Sequence, residues 1–177
     1  MKDGRLLRVT VTGSESTGKT WLAQQLARHF DTVWVPEFSR EYVLQKAAPL
    51  DASDVEPIAR GQIRSEDEIL RRARGLGVLD TDLVSTVVYA EHYYGRCPEW
   101  IASAARDRLA DLYLLCDIDV PWVPDPARDR PHARPELHRA FADRLAQHRA
   151  QVVLIRGSWQ EREATGIGAV QDLLGGT

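Results

Sequence analysis

The sequence predicts an α/β protein: a five-stranded parallel sheet with helices on both faces, built around a phosphate-binding loop. Three observations carry this. Gly13-Ser14-Glu15-Ser16-Thr17-Gly18-Lys19-Thr20 matches the pattern G-x-x-x-x-G-K-[ST] without a gap. An apolar run precedes it and a helical pattern follows it, which is the strand–loop–helix context the pattern requires. Beyond the loop, short apolar runs alternate with helical segments along the rest of the chain, as expected of a parallel sheet covered on both sides. Together these predict a P-loop NTPase fold, and the strand-end acids and Arg-rich segment described below point to its nucleoside- or nucleotide-kinase-like branch.

The elements follow in order. Leu6 to Thr12 reads as a buried strand and Thr20 to Phe30 as a helix. Thr32-Val33-Trp34-Val35 is a second, short strand ending at Pro36-Glu37, and Ser39 to Lys46 forms a short helix. Ser53-Asp54-Val55-Glu56 has the capping-box pattern and opens a long charged helix running to about Arg74. Gly75 and Gly77 break that helix, and Val78-Leu79-Asp80 is the third strand. Leu83 to Tyr94 is helical with Gly95 at its end, and Pro98 to Leu109 forms another helix. Leu112 to Cys116 and Val152 to Ile155 are the fourth and fifth strands, nearly continuous in apolar residues. Pro121 to Pro135 interrupts the alternation with P-W-V-P-D-P-A-R-D-R-P-H-A-R-P. This Pro- and Arg-rich segment reads either as a solvated loop or as an arginine-bearing lid over transferred phosphate.

Length and charge bound the rest. The 177 residues fit one P-loop kinase domain, 1–177, with a full hydrophobic core. A net charge of −3, with 20 Arg and 3 Lys spread along the chain, argues against nucleic acid as the main partner. No apolar run is long enough for a membrane span, so no membrane partner is expected. Met1 to Arg5 passes directly into the first strand, leaving no room for a signal peptide. Cys97 and Cys116 have no C-x-x-C companion and read as ordinary buried thiols. A reducing, cytoplasmic setting is the expectation. Nothing in the sequence sets the oligomeric state.

The phosphate loop assigns its own roles. Gly13 and Gly18 let the backbone N–H groups of Gly13, Ser14, Glu15, Ser16, Thr17 and Gly18 turn inward, and Lys19 adds a full positive charge. Thr20 would place its hydroxyl on a magnesium ion. Strand C-termini converge on this loop, so the acids there are the catalytic candidates. Asp80 is placed as a metal-shell aspartate. Asp82 either shares that role, serves as a second candidate base at the acceptor, or caps the following helix. Glu37 would accept the proton of an attacking hydroxyl, or else sits in a salt bridge with Arg40. Among Tyr42, Tyr93, Tyr94 and Trp122, one or two could stack on a planar cationic ligand and the others belong to the core or to helix faces. Glu15 would be repelled by phosphate and so points toward the acceptor or Arg40.

Several classes are excluded. The chain contains no asparagine, so the N-K-x-D guanine pattern is absent, which favours ATP over GTP. The five histidines lack H-E-x-x-H spacing, and Ser14 and Ser16 belong to the phosphate loop and not to a G-x-S-x-G elbow.

Taken together, the P-loop, Pro36-Glu37-Phe38-Ser39-Arg40-Glu41-Tyr42-Val43, Gly61-Gln62, Asp80-Thr81-Asp82 with Thr86, and Asp111 to Leu115 leading to Pro121-Trp122-Val123-Pro124-Asp125 resemble the nicotinamide-riboside kinase domain of the NadR family and its stand-alone relatives. The matches are collinear over most of the chain. The resemblance implies ATP- and magnesium-dependent phosphorylation of the 5′-hydroxyl of a small-molecule riboside, nicotinamide riboside, to give NMN in NAD biosynthesis. It implies Lys19 and Thr20 at the phosphates and magnesium, Glu37 and Arg40 at the riboside, Asp80 at the metal and Arg128 on the lid. Asp82, Tyr94 and Trp122 are further substrate-binding candidates. The family leads one to expect Asp-Gly in the lid, where this chain has Asp125-Pro126. The DNA-binding segment and adenylyltransferase domain of the larger proteins find no room in this chain, so their activities are not carried over. A rival reading remains: an ATP-binding regulatory or interaction module with weak hydrolysis and no small acceptor.

Overall fold

The computed structural model describes residues 5–123 and 131–176. Strands β1 (Leu7–Thr12), β2 (Val33–Val35), β3 (Leu76–Asp80), β4 (Leu112–Cys116) and β5 (Val152–Ile155) form one all-parallel sheet in the order β2-β3-β1-β4-β5. Among the described residues the helices are α1 (Lys19–His29), α2 (Phe38–Lys46), α3 (Val55–Leu70), α4 (Leu83–Tyr94), α5 (Glu99–Asp107), α6 (Arg134–Gln147) and α7 (Trp159–Gly175). The central strands are buried on both sides because helices cover both faces, with Thr10 and Thr12 of β1 buried alongside the apolar residues. Val9, Val11, Val78, Leu79, Leu112 and Leu114 have no exposed surface. One face packs on α1 and α7 through Leu22, Leu26 and Val170. The other packs on α4, α5 and α6 through Val84, Val87, Ile101 and Phe141, with α3 continuing that layer.

The strand order places β1 at the centre, with β2 and β3 on one side and β4 and β5 on the other. The chain therefore changes direction across the sheet at β1, and a crevice opens at the carboxyl ends of β3, β1 and β4. The phosphate loop, which follows β1, lies at this switch point.

Two boundaries differ from expectation. The capping box is built by Asp51 and Asp54, not by Ser53 and Glu56. Asp51 accepts from the Ser53 backbone N–H at 2.8 Å, and Asp54 accepts from that of Asp51 at 2.7 Å. The resulting 3-10 turn, Ala52–Asp54, leads into α3 at Val55, so the α3 cap falls on Asp54, one residue after the Ser53 the sequence pattern placed there. At the other end α3 stops at Leu70, because Arg72 and Ala73 donate to Ile69 and Leu70 in a tight turn. Gly75 takes a left-handed φ of 80° there, but Gly77 is no break: it lies within β3, paired with Arg8 and Val33. A Cβ at Gly77 would fall 2.4 Å from the Leu70 side chain, so the missing side chain lets α3 close on the sheet.

Cys97 and Cys116 are free, as expected. Burial pushes the Cys97 thiol up to about 11 and the Cys116 thiol up to about 12, so both remain protonated at neutral pH. No helix among the described residues is long and apolar enough to cross a membrane.

Candidate active site

The loop between β1 and α1 alternates backbone hands, with φ of 55° at Ser16 and 82° at Gly18. That turns successive N–H groups toward one concavity, the geometry that binds phosphate. Thr17 Oγ1 donates to the Ser14 carbonyl at 2.8 Å, and Lys19 Nζ donates to the same oxygen at 2.7 Å. Lys19 is 4% exposed, so its ammonium is held over the loop and largely out of bulk water. Arg162, on α7, supports the loop from behind. Its guanidinium donates to the Thr17 carbonyl at 3.2 Å and to the Gly157 carbonyl at 2.9 Å, and pairs with Asp119. On the outer side Ser16 and Val123 exchange hydrogen bonds of 3.1 and 3.0 Å, which sets Trp122 beside the loop. Arg134 lies across the same side, donating to Val120 at 3.0 Å and reaching the Ser16 carbonyl at 3.5 Å.

Thr20, in the first turn of α1, and Asp80, the last residue of β3, meet across the crevice with Oγ1 to Oδ2 at 2.6 Å. One hydroxyl and one carboxylate, both hard oxygen donors beside a phosphate loop, fit magnesium, which is held by few protein groups plus phosphate and water. Among the described residues no group of three or more His, Cys, Asp or Glu could hold a metal without such help.

Thr81, between the two aspartates, has a φ of 65° although it is β-branched. A left-handed threonine is strained and persists only when its surroundings fix it. Here its N–H is held by the Val11 carbonyl at 2.9 Å. The twist sends the neighbouring carboxylates in different directions. Asp80 faces Thr20, whereas Asp82 turns inward, accepting the Val84 N–H at 3.0 Å as the cap of α4 and the Tyr113 hydroxyl at 2.7 Å. Of the readings open for Asp82, the geometry selects the cap.

Burial pushes the Asp82 carboxyl up to about 6, against the Tyr113 hydrogen bond, which lowers it. Its ordinary value is 3.8, so the unfolded chain ionises first as pH rises. Stability from this group is therefore complete below that value and lost as pH climbs to about 6. Asp82→Asn keeps a capping oxygen and removes the titration. Urea unfolding should show the variant gaining on the parent as pH rises from 4 to about 6; parallel curves would refute the assignment.

A cavity of about 800 Å³ opens next to the loop, lined by Glu15, Glu37, Arg40, Gln62, Thr81, Ser85, Tyr89, Tyr93 and Tyr94 among others. Glu37 occupies the cap position of α2, and Ser39 Oγ donates to its carboxylate at 2.8 Å. Tyr93 donates to Glu15 at 3.3 Å, and the Tyr89 and Tyr93 rings lie nearly parallel, 6.0 Å apart and inclined by 7°. Tyr42 does not line the cavity itself but donates at 2.9 Å to Asp54, which does.

The structure thus brings together Lys19, Thr20, Asp80, Glu15, Glu37, Arg40, Tyr93 and Tyr94. It turns Asp82 into the core and sets Trp122 at the outer side of the loop. Arg128, Asp125 and Pro126 lie outside the described residues. Sequence reasoning did not single out Arg134, Arg162 or Gln62 as side chains with a task. Arg134 lies inside the Arg-rich segment that drew attention for another arginine. Arg162 carries no local signal for its contacts at the loop, since Thr17 and Asp119 are 145 and 43 residues away.

A phosphate loop at the switch point of an all-parallel sheet, with a metal-competent hydroxyl–carboxylate pair and a roomy cavity alongside, defines a P-loop α/β protein of the nucleotide-handling class. The family model described as "AAA domain" matches residues 8–162. The chain belongs to that family. It is 28% identical over 153 residues to the trifunctional NAD biosynthesis/regulator protein NadR of Escherichia coli (strain K12), covering 83% of this chain and 37% of that protein. A crystal structure of NadR protein in complex with NR superposes with a TM-score of 0.80 at 27% identity, covering 94% of this chain and 50% of that one. A second, of NadR protein in complex with NAD and AMP-PNP, gives 0.77 at 28%, covering 96% and 49%. The chain therefore spans about a third of the length of that sequence relative and half of each solved chain.

Proposed function

We propose that this chain is an ATP-dependent phosphotransferase that phosphorylates the 5′-hydroxyl of nicotinamide riboside, giving NMN. The observation that carries the reading is the cavity of about 800 Å³ beside the phosphate loop, with Glu15 and Glu37 among the carboxylates in its walls. A second substrate fits there next to the terminal phosphate; a module that only binds or hydrolyses ATP has no need of it. The near-parallel tyrosines and the glutamate on Tyr93 suit a flat, positively charged ring, because aromatic faces and carboxylates both attract cations. The solved NadR proteins with NR and with AMP-PNP support the same pair of ligands.

In this mechanism the loop N–H groups and Lys19 hold the phosphates in line with the acceptor. The riboside oxygen forms a bond to the terminal phosphorus while the bridging bond to ADP breaks. Glu37 orients the hydroxyl and takes its proton. Thr20 and Asp80 would hold a magnesium ion, which would supply neutralisation of charge on the phosphate oxygens. Arg128 is proposed to neutralise charge on the transferred phosphoryl group.

A panel of ribosides with ATP tests the reading. ADP release should rise strongly with nicotinamide riboside, with a product of NMN mass. ADP release that stays basal across the panel would sink the kinase and favour the regulatory module.

A further inference from the structure

We propose that Gly61 and Gln62 are positioning residues that aim the Glu37 carboxylate by capping α2 from another helix. The inference rests on the reading of Glu37 as the acceptor base. The first N–H groups of a helix lack partners within it, and the cap residue's own side chain can meet only that of the second or third residue. Glu37 holds the cap position of α2, but its side chain makes no capping hydrogen bond. The Phe38 N–H is instead taken by Gln62 Oε1, on α3, at 3.1 Å. This anchors the N-terminus of α2 beside Glu37, whose side chain lines the cavity.

Gln62 is itself fixed. It is 3% exposed, and its Nε2 donates to Glu66 Oε1 at 3.1 Å. Glu66 has no exposed surface, and its other oxygen accepts from Arg8 at 2.7 Å and Arg108 at 3.2 Å. A carboxylate gripped by two arginines only accepts, so it fixes which end of the Gln62 amide faces Phe38. Each end of the amide is thus tied to the protein, which fixes Gln62 as a support beside Glu37.

Gly61 supplies the room. A Cβ there would lie 2.0 Å from the Phe38 ring, so only glycine lets α3 approach closely enough for the next residue to reach the Phe38 N–H. The support matters because α2 has no fully buried residue of its own to hold it in place.

The test combines Gln62→Leu with Glu37→Gln, using ATP and nicotinamide riboside. Gln62→Leu should lower kcat about 10- to 100-fold, leave KM for ATP within about twofold, and have no further effect in a Glu37→Gln background. Hydrogen exchange at the Phe38 amide should quicken at least about tenfold in Gln62→Leu, whatever the acceptor. An undiminished effect in the Glu37→Gln background, unchanged Phe38 exchange, or a lower Tm with intact kcat would each overturn the inference. If Glu37→Gln alone leaves kcat unchanged while Phe38 exchange quickens, the cap stands as structure, the base assignment fails, and the inference is overturned with it. Gln62→Met replaces the leucine variant if that one does not fold, with the same outcomes expected.

Discussion

Lys19→Ala should reduce phosphoryl transfer by at least about 10²–10³-fold, the typical loss on removing one preorganised group that stabilises transition-state charge. The size follows from where the ammonium sits. It is the first residue of α1, 4% exposed, and tied at 2.7 Å to the Ser14 carbonyl at the rim of the phosphate loop. A charge in so poorly hydrated a position interacts more strongly with phosphate than one in water, and it costs little reorganisation during reaction. Alanine leaves the loop N–H groups and the α1 N-terminus intact, so nucleotide binding should weaken much less than turnover. Single-turnover rates and a nucleotide titration on the same sample separate the two. Turnover within a few-fold of the parent would rule out Lys19 as the group that meets the transferred phosphoryl.

Glu37→Gln is the second large effect. A positioned general base contributes about 10²–10⁴ in rate, and the amide keeps the shape of the side chain while losing the proton-accepting charge. Ser39 Oγ donates to the carboxylate at 2.8 Å, and an amide oxygen can still accept that bond, so folding should be preserved. The loss should fall on kcat, with KM for ATP nearly constant, because Glu37 lies on the acceptor wall and not on the loop. An equal rise in KM for both substrates with unchanged kcat would mean that Glu37 binds and does not catalyse.

Local signals in the sequence account for the parts of the fold that are local. The phosphate loop, five strands and the Thr20–Asp80 pairing were all legible because each rests on short spacing or on the rule that strand ends converge. What failed was also physical. The capping box was displaced because two Asp residues, three apart, beat the Ser–Glu pair that follows them. Gly77 looked like a helix breaker and is a clearance for Leu70, a contact no window of sequence reveals. Asp82 was open among three roles until the left-handed Thr81 turned it toward Tyr113. Arg162 reaches Thr17 and Asp119 only through the tertiary fold, and the Gly61-Gln62 pair was noticed as a pattern without its task. Short-range chemistry was readable; the second layer that aims it was not.

The two halves of this crevice differ in how much of the molecule depends on them. The phosphate loop springs from the central strand of the sheet, whereas α2 hangs from the three-residue edge strand β2 and contributes no buried residue. Substitutions at Arg40, Val43 or Leu44 thus change the acceptor wall with little loss of stability. If the chain is the kinase proposed above, drift in which alcohol is chosen would proceed on that wall while the handling of the nucleotide stays constant, and a laboratory search for new acceptors would have its most tolerant positions there.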